Sequence, residues 1–100
     1  MKIGFIGTGN MGSAMIKGIV TSEAVSGNDI NIFDVNMEKS RELSEKYNVK
    51  SLKNEIEIVD NSDIVVLSVK PNIYSYVLEK IKDRIGENKI ILAIATGVSI

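Results

Sequence analysis

The chain has 100 residues, of which 44% are hydrophobic, and a formal net charge of -1. This composition predicts one globular domain, and the charge balance argues against the basic surface that nucleic-acid or membrane binding requires. Cysteine and histidine are absent, which excludes disulfides, thiol catalysis and imidazole chemistry, and no metal site is expected. The first apolar stretch is too short to span a membrane and has no secretory leader pattern, so we expect a cytoplasmic protein.

Five strand-like runs alternate with helical patterns along the chain. The predicted strands are Lys2–Ile6, Ile30–Phe33, a short one near Val49–Leu52, Ile64–Val69 and Ile90–Ala95. This alternation predicts an α/β fold, a doubly wound parallel sheet of the Rossmann type with strand order 3-2-1-4-5 and helices on both faces. The fourth and fifth runs are almost continuously Ile, Val and Leu, which favours the middle of the sheet.

The helices are predicted from apolar spacing and capping residues. In the first helix one apolar stripe is expected from Met11, Ala14, Met15, Gly18 and Ile19. The second begins at the N-cap Asn36 and ends near Tyr47-Asn48. A short helical turn covers Glu55–Asn61, and a longer helix covers Ile73–Ile85. The longer helix should bury a face that consists of Tyr74, Val77, Leu78, Ile81 and Ile85.

The first strand leads directly into the glycine motif Gly7-x-Gly9-x-x-Gly12. Between a strand and a helix this spacing is typical of dinucleotide-binding domains. The first glycine permits a tight turn, the second leaves room for a diphosphate, and the third lets the helix pack against the strand. The N–H groups at the helix start then face the phosphates. The motif predicts a nucleotide site, and a purely structural glycine turn is the alternative.

Asp34 ends the second strand, 22 residues after Gly12. An acidic side chain there can accept hydrogen bonds from the ribose hydroxyls of an adenosine. This favours NADH over NADPH, because two unit charges at ~4 Å repel by roughly 1–4 kcal/mol and a 2'-phosphate is an anion. The alternative is that Asp34 only begins the turn into the helix capped by Asn36.

The carboxyl ends of the strands bring four loops to one crevice: Gly7–Gly12, Asp34–Asn36, Lys70–Asn72 and Thr96–Gly97. Pro71 ends the fourth strand, so main-chain atoms of Ser68–Pro71 can line the nicotinamide side. Lys70 is the candidate catalytic side chain, as an acid or as a clamp for a substrate carboxylate. It can equally point to solvent.

Several carboxylates lie close together in the sequence without a histidine, cysteine or arginine neighbour. These are Glu55 with Glu57 and Asp60 with Asp63. We interpret them as surface residues, because unpaired charged side chains are rarely buried.

Three segments together resemble the N-terminal domain of pyrroline-5-carboxylate reductase: IGFIGTGNMGSAMIKG, SDIVVLSVKP and AIATGVSI. The family's motifs are matched in order by Met11–Gly12, Val69–Lys70–Pro71 and Ala95–Thr96–Gly97–Val98–Ser99. The resemblance covers the whole chain. It implies hydride transfer from NAD(P)H to 1-pyrroline-5-carboxylate, which gives L-proline in proline biosynthesis.

The resemblance also implies a set of cofactor-binding residues. They are Ile6, Gly7, Thr8, Gly9, Asn10, Met11, Gly12, Asp34, Asn54, Ser68, Val69, Lys70, Pro71, Ile94, Ala95 and Thr96. Asn54 stands for a family asparagine that helps to hold the adenosine, although counting back from Ser62-Asp63 without a gap reaches Glu55. Some family members carry Ser or Thr and a nearby basic residue at the position of Asp34, so their preference for NADP is not transferred.

Members of the family continue into a helical second domain that forms the dimer and supplies most substrate-binding side chains. The resemblance therefore implies that residues 1–100 are the dinucleotide-binding domain and that the C-terminal helical domain is absent from this chain. It further implies that the full-length protein is a homo-oligomer and that the 100-residue chain alone is inactive. Two alternatives are another dehydrogenase with the same first domain, of the β-hydroxyacid or prephenate type, and a non-catalytic NAD-sensing module.

Overall fold

Strands and helices alternate in the computed structural model, which describes residues 1–86 and 88–93 and only the backbone of Asn10, Met11 and Pro71. The strands are β1 (Ile3–Ile6), β2 (Ile30–Phe33), β3 (Lys50–Ser51), β4 (Ile64–Leu67) and β5 (Ile90–Ala93). The α-helices are α1 (Asn10–Thr21), α2 (Met37–Tyr47), α3 (Glu55–Asp60) and α4 (Pro71–Ile81). All strand pairs are parallel, in the order β3-β2-β1-β4-β5. The predicted fold class and strand order are confirmed.

The central strands end at the same level. Ile6 at the end of β1 pairs with Phe33 in β2 and with Leu67 in β4. Beyond these pairs, the N–H of Gly7 donates to the Phe33 carbonyl at 2.8 Å, and the N–H of Ser68 donates to the Ile6 carbonyl at 2.9 Å. The loops that follow β1, β2 and β4 therefore start side by side, at the carboxyl edge where ligands bind in such sheets.

Both faces of the sheet are covered by helices. On one face, where α1 and α2 pack, the buried cluster consists of Phe5, Ile16, Ile30, Ile32, Val49 and Val66. On the other face, where α3 and α4 pack, it consists of Ile6, Phe33, Ile58, Val59, Val65, Leu67, Val77 and Ile81. Each such side chain contributes about 1.5–3 kcal/mol when it is buried. Successive residues of β1 and β4 belong to opposite clusters. A shift of the strand register by one residue would therefore move each side chain to the other face of the sheet.

The strands differ from their predictions in position and length. The expectation that the fifth strand lies in the middle of the sheet is wrong, because β5 is the edge strand and Ile90 is 53% exposed. An apolar run favours burial, but the order of the strands decides which neighbours are present. β4 ends at Leu67 rather than Val69, and β1 and β3 are shorter than predicted. The predicted end of the fifth strand at Ala95 lies outside the described residues.

The α1 face also differs from its prediction. Ile16 is fully buried against the sheet, whereas Ala14 and Gly18 are exposed. Met15 and Ile19 are partly buried and pack at the edge of the same cluster, as predicted. Burial of alanine or glycine at Ala14 and Gly18 gains little free energy, whereas burial of the Ile16 side chain gains more, which favours the side of the helix that carries Ile16.

The bounds of α2 are confirmed, and those of α4 are shifted. Asn36 caps α2 by accepting a hydrogen bond from Lys39 N, and Asn48 ends it in the left-handed conformation. Pro71 occupies the first turn of α4, where its missing N–H is not needed, so this helix starts two residues earlier than predicted. A 3-10 turn over Lys82–Arg84 replaces its predicted last turn. On α4, Leu78 is 40% exposed rather than buried.

Candidate functional site

A crevice of about 680 Å³ lies at the carboxyl ends of β1, β2 and β4. Its lining residues are Ile6, Gly7, Thr8, Gly9, Phe33, Asp34, Val35, Lys39, Glu55, Ser68, Val69, Lys70, Ile73, Tyr76 and Val77. Eight of the predicted cofactor-binding residues are among them: Ile6, Gly7, Thr8, Gly9, Asp34, Ser68, Val69 and Lys70. Three segments that are distant in the sequence therefore meet at one crevice.

The other predicted residues fall into two groups. Gly12 and Asn54 are described, and they lie outside the lining of the crevice. The side chains of Asn10, Met11 and Pro71 are not described, and Ile94, Ala95, Thr96 and Gly97 lie outside the described residues. Cofactor contacts at all these positions stay predictions.

The three glycines of the loop differ in their surroundings. Gly7 has a φ of +87°, which favours glycine, and a Cβ there would collide with the carbonyl of Ser68. A Cβ on Gly12 would lie 2.9 Å from Ser68 Oγ, so α1 approaches the end of β4 closely. A Cβ on Gly9 would come no closer than 3.9 Å to its nearest neighbour outside the adjacent residues. Gly9 is therefore not required by packing, and its missing side chain leaves space in the crevice.

The start of α1 offers hydrogen-bond donors beside this space. Its N-cap is Gly9, which has no side chain to cap the helix, and its first turn contains no acidic residue. The first N–H groups of a helix lack intrahelical partners, and the helix dipole makes this end positive. Backbone donors and open space at Gly9 together fit an anionic group such as a diphosphate.

Asp34 links the glycine loop to the end of β2. Its Oδ2 accepts hydrogen bonds from Thr8 Oγ1 at 2.6 Å and from Thr8 N at 2.8 Å. Its Oδ1 accepts one from Asn36 N at 2.8 Å, which confirms the turn role considered for Asp34. A carboxylate has about four lone-pair sites, so these three bonds leave room for a further donor such as a ribose hydroxyl.

The environment of Asp34 favours its ionised form. Burial raises the pKa of this carboxyl, but other interactions lower it by more. They are the hydrogen bonds from the Thr8 hydroxyl and from the Asn36 and Thr8 N–H groups, together with the charge of Lys39. The net result is a pKa below the ordinary value of 3.8. The crevice therefore carries a negative charge at the end of β2 near neutral pH.

Two lysines also line the crevice. Lys39, in the first turn of α2, is near enough to Asp34 to lower the pKa of that carboxyl. Lys70 is the N-cap residue of α4, has no side-chain capping bond and is exposed. Lys39 is not identified from the sequence, although its position three residues after Asn36 marks the helix turn nearest to Asp34. Lys39 thus places a positive charge near the carboxylate of Asp34, at the start of α2.

Glu55 contradicts its prediction as a surface residue. It is 4% exposed and lines the crevice. Its Oε1 lies 3.4 Å from Lys80 Nζ, which belongs to α4 and is 25 residues away in the sequence. A charge that close provides the partner that a buried carboxylate requires. Its neighbour Asn54 caps α3 through a 2.9 Å hydrogen bond from Glu57 N to Asn54 Oδ1.

An apolar wall of the crevice is also not assigned from the sequence. Ile73, Tyr76 and Val77 of α4 line it, as do Phe33 and Val35 at the end of β2. The available signal is the i, i+3, i+4 spacing on α4, which places the three side chains on one side of the helix. A crevice with charged groups beside an apolar wall suits a ligand that combines phosphates with a flat ring.

The parts of the chain that the structure describes contain no group of three acidic side chains placed to hold a metal ion. None of their helices has both the length and the apolar character needed to cross a membrane.

The parallel sheet, the glycine loop at its carboxyl edge and the acid at the end of β2 define an α/β dinucleotide-binding domain of the Rossmann type. The family model described as "NADP oxidoreductase coenzyme F420-dependent" matches residues 2–97. The chain belongs to this family.

Several similar proteins are pyrroline-5-carboxylate reductases, the family that the sequence resembles. Pyrroline-5-carboxylate reductase of Methanosarcina acetivorans is 38% identical over 97 residues, which cover 97% of this chain and 36% of that protein. A solved pyrroline-5-carboxylate reductase from Coxiella burnetii is 32% identical, with a TM-score of 0.87 over 98% of this chain and 36% of its own. The Plasmodium falciparum enzyme, solved with NADP bound, is 27% identical, with a TM-score of 0.81 over 100% of this chain and 35% of its own.

These similarities confirm the resemblance to pyrroline-5-carboxylate reductases. The aligned regions cover 97% and 98% of this chain, so they include nearly all of its fold. The chain spans only about a third of the length of these relatives.

Proposed function

We propose that this chain is the cofactor-binding domain of a pyrroline-5-carboxylate reductase. It holds NAD(P)H, which supplies the hydride that reduces the C=N carbon of 1-pyrroline-5-carboxylate to give L-proline. The observation that carries the proposal is the glycine loop, which presents helix N–H groups and the open space at Gly9 to the crevice. The similarity to named reductases over 97% of the chain supports the substrate class.

Each wall of the crevice has a part in this proposal. The N–H groups at the start of α1 bind the diphosphate, and Asp34 accepts a hydrogen bond from the adenosine ribose. The apolar wall formed by α4 packs against the adenine ring. The main chain of Ser68–Pro71 lines the nicotinamide side. The chain thus binds and orients the cofactor, and the candidate residue for a direct contact with the substrate is Lys70.

The charges around Asp34 lead us to propose NADH as the preferred cofactor. The ionised Asp34 disfavours a 2'-phosphate, whereas Lys39 attracts one. Asp34 lies at the end of β2, where the ribose hydroxyls are expected, and its carboxylate still has an acceptor site available. We therefore expect its repulsion to exceed the attraction from Lys39. The Plasmodium falciparum enzyme was solved with NADP bound, but it is only 27% identical to this chain, so its cofactor is not transferred to this chain.

The same proposal includes the surroundings in which the domain acts. We place it in the cytoplasm, as part of a longer homo-oligomeric enzyme whose second domain supplies most of the side chains that bind the substrate. Neither nucleic acid nor a membrane is a proposed partner, because the chain has a formal net charge of only -1.

Two other functions use the same cofactor site. A β-hydroxyacid or prephenate-type dehydrogenase would share the glycine loop and Asp34, but the Val69–Lys70–Pro71 segment favours the pyrroline-5-carboxylate reductases. A non-catalytic NAD sensor would bind cofactor without any substrate. Reduction of 1-pyrroline-5-carboxylate by a longer form of the protein would exclude both.

The substitution Gly9→Val tests the cofactor site. Its side chain would enter the crevice, because packing leaves the Cβ position at Gly9 open, and it would fill the path of the diphosphate. We expect NADH binding, measured by calorimetry, to fall below detection while the protein remains folded. Gly9 has an extended backbone with φ -64° and ψ -173°, which valine also adopts.

Gly18→Val is the matched control for this experiment. Gly18 lies in α1, and apart from the adjacent residues and the nearby backbone of this helix, no described atom would lie within 4 Å of a Cβ there. The control should bind NADH as the wild type does and should be equally stable or slightly more so, because valine is a better helix former than glycine. Equal NADH affinity of the wild type and Gly9→Val, or a wild type that does not bind NADH, would contradict the proposal.

A further inference from the structure

Ser68 has a buried hydroxyl without a hydrogen-bond partner. The residue is 3% exposed and lines the crevice directly after β4. Among the described residues, Ser68 Oγ is the only buried side-chain nitrogen or oxygen atom that lacks a partner within the protein. Leaving a buried polar atom unpaired costs free energy, so such an atom calls for a specific explanation.

The neighbouring hydroxyls of the glycine loop are paired within the protein. Thr8 Oγ1 donates to Asp34, and Ser13 Oγ donates to the carbonyl of Thr8 at 2.8 Å. Ser68 differs from both, although it also lies close to the loop. A Cβ built on Gly12 would lie 2.9 Å from Ser68 Oγ and 3.1 Å from the carbonyl oxygen of Gly7. The unpaired hydroxyl is therefore located next to the first and last glycines of the loop, beside the first turn of α1.

We propose that the Ser68 hydroxyl donates a hydrogen bond to the diphosphate of the bound dinucleotide, directly or through one bridging water. This inference rests on the proposed function and gives the Ser68 side chain a specific contact, whereas the sequence predicts only that main-chain atoms of Ser68–Pro71 line the nicotinamide side. A phosphate oxygen is a charged acceptor, and hydrogen bonds to charged groups are stronger than those between neutral groups. The hydroxyl is paired only in the complex, so it contributes to affinity rather than to the stability of the free protein.

Ser68→Ala tests the assignment through two independent readouts. NADH and ADP-ribose binding are measured by calorimetry, and the stability of the free protein is measured by urea denaturation. We expect both affinities to fall by about ten- to a hundredfold, which is the range for one hydrogen bond to a charged group. The urea midpoint should not decrease, because the deleted hydroxyl has no partner in the protein.

Ser62→Ala is a matched control. Ser62 is also 3% exposed, but its Oγ accepts a hydrogen bond from Asn31 Nδ2 at 3.1 Å. It precedes β4 and is therefore at the end of the sheet away from the crevice. Ser62→Ala should lower the urea midpoint, since it leaves the Asn31 amide with one partner fewer. It should change the affinity for NADH by less than about twofold.

The possible outcomes separate this inference from the proposed function. A wild type that binds neither NADH nor ADP-ribose would overturn both. Wild-type binding with unchanged affinities in Ser68→Ala would overturn the Ser68 contact alone. A loss for NADH but not for ADP-ribose, which keeps the diphosphate and lacks nicotinamide, would place the contact elsewhere on the cofactor and would also overturn the assignment.

Discussion

At the scale of single residues, Asp34 combines a structural role with a proposed role in ligand selection. Its three accepted hydrogen bonds hold Thr8 and Asn36, so the glycine loop and the β2 loop have a fixed relative position. The same bonds lower its pKa and keep its charge in the crevice. The structural role of Asp34 should therefore appear in the stability of the protein, and the role of its charge should appear in the affinity for the cofactor.

Asp34→Ser should shift the cofactor preference towards NADPH. Removing the carboxylate removes a repulsion of roughly 1–4 kcal/mol on a 2'-phosphate and leaves the attraction from Lys39. We expect the ratio of NADPH affinity to NADH affinity to rise about fivefold or more in calorimetric titrations. The variant should also be less stable, because Thr8 loses the acceptor of its hydroxyl and its N–H.

Asp63→Ser is the control for the change in net charge. Asp63 precedes β4, is exposed, and accepts a hydrogen bond from Lys2 N at the end of the sheet away from the crevice. Its replacement should leave the cofactor ratio unchanged. Tighter binding of NADPH than of NADH by the wild type would show that Lys39 outweighs Asp34, and the proposed preference would then be wrong.

At the scale of elements, one lysine connects α3 with the edge strand β5. Lys89 Nζ donates to the carbonyl of Val59 at 2.6 Å and to that of Ser62 at 2.8 Å. These carbonyls lie at the C-terminal end of α3, where intrahelical donors run out and the helix dipole is negative. The interaction thus holds the start of β5 to the turn that leads into β4.

Lys89→Met should destabilise the domain by about 1.5–3 kcal/mol, because it removes hydrogen bonds from a charged donor to two carbonyls. Urea denaturation measures this loss. Lys82→Met is the matched comparison, since its ion pair with Glu79 at 2.7 Å is exposed, with side chains 57% and 73% accessible. The control should cost at most about 1 kcal/mol. Equal losses in the two variants would argue against a specific role for Lys89.

The elements themselves could be predicted because each depends on local patterns. The N-cap Asn36 and the left-handed Asn48 mark the ends of α2 in the sequence, and both are confirmed. The location of β5 at the sheet edge depends instead on the strands present beside it, which apolar content does not specify. The start of α4 at Pro71 could have been predicted from the preference of proline for the first turn of a helix.

The residues of the site likewise divide into those that a local sequence pattern predicts and those that depend on contacts between distant parts of the chain. Gly7, Gly9 and Asp34 follow a motif with fixed spacing, and they line the crevice as predicted. The sequence predicts Glu55 at the surface because no histidine, cysteine or arginine is near it along the chain, whereas α3 and α4 bring Lys80 within 3.4 Å. Contacts between helices that are distant along the chain become visible only when the sheet is assembled.

At the scale of the whole molecule, the crevice is suited to a cofactor more than to a second reactant. Its described lining offers a glycine loop, an acid at the end of β2 and an apolar wall, a combination that suits a dinucleotide. The chain spans about a third of the length of its relatives. We propose, from the resemblance to pyrroline-5-carboxylate reductases, that most substrate-binding side chains belong to a second domain, and Lys70 is the candidate within this chain.

The 100-residue chain should bind NADH but should not reduce 1-pyrroline-5-carboxylate at a useful rate. Holding the imine carbon against the nicotinamide in a reactive position can supply on the order of 7–11 kcal/mol, and binding the cofactor alone does not provide it. Oxidation of NADH with the substrate present measures turnover, and the Methanosarcina acetivorans reductase provides a full-length comparison. Calorimetry on the same sample shows that the cofactor site is intact. Comparable turnover by the two proteins would mean that Lys70 or another residue of this chain binds the substrate, contrary to the assignment made for the second domain.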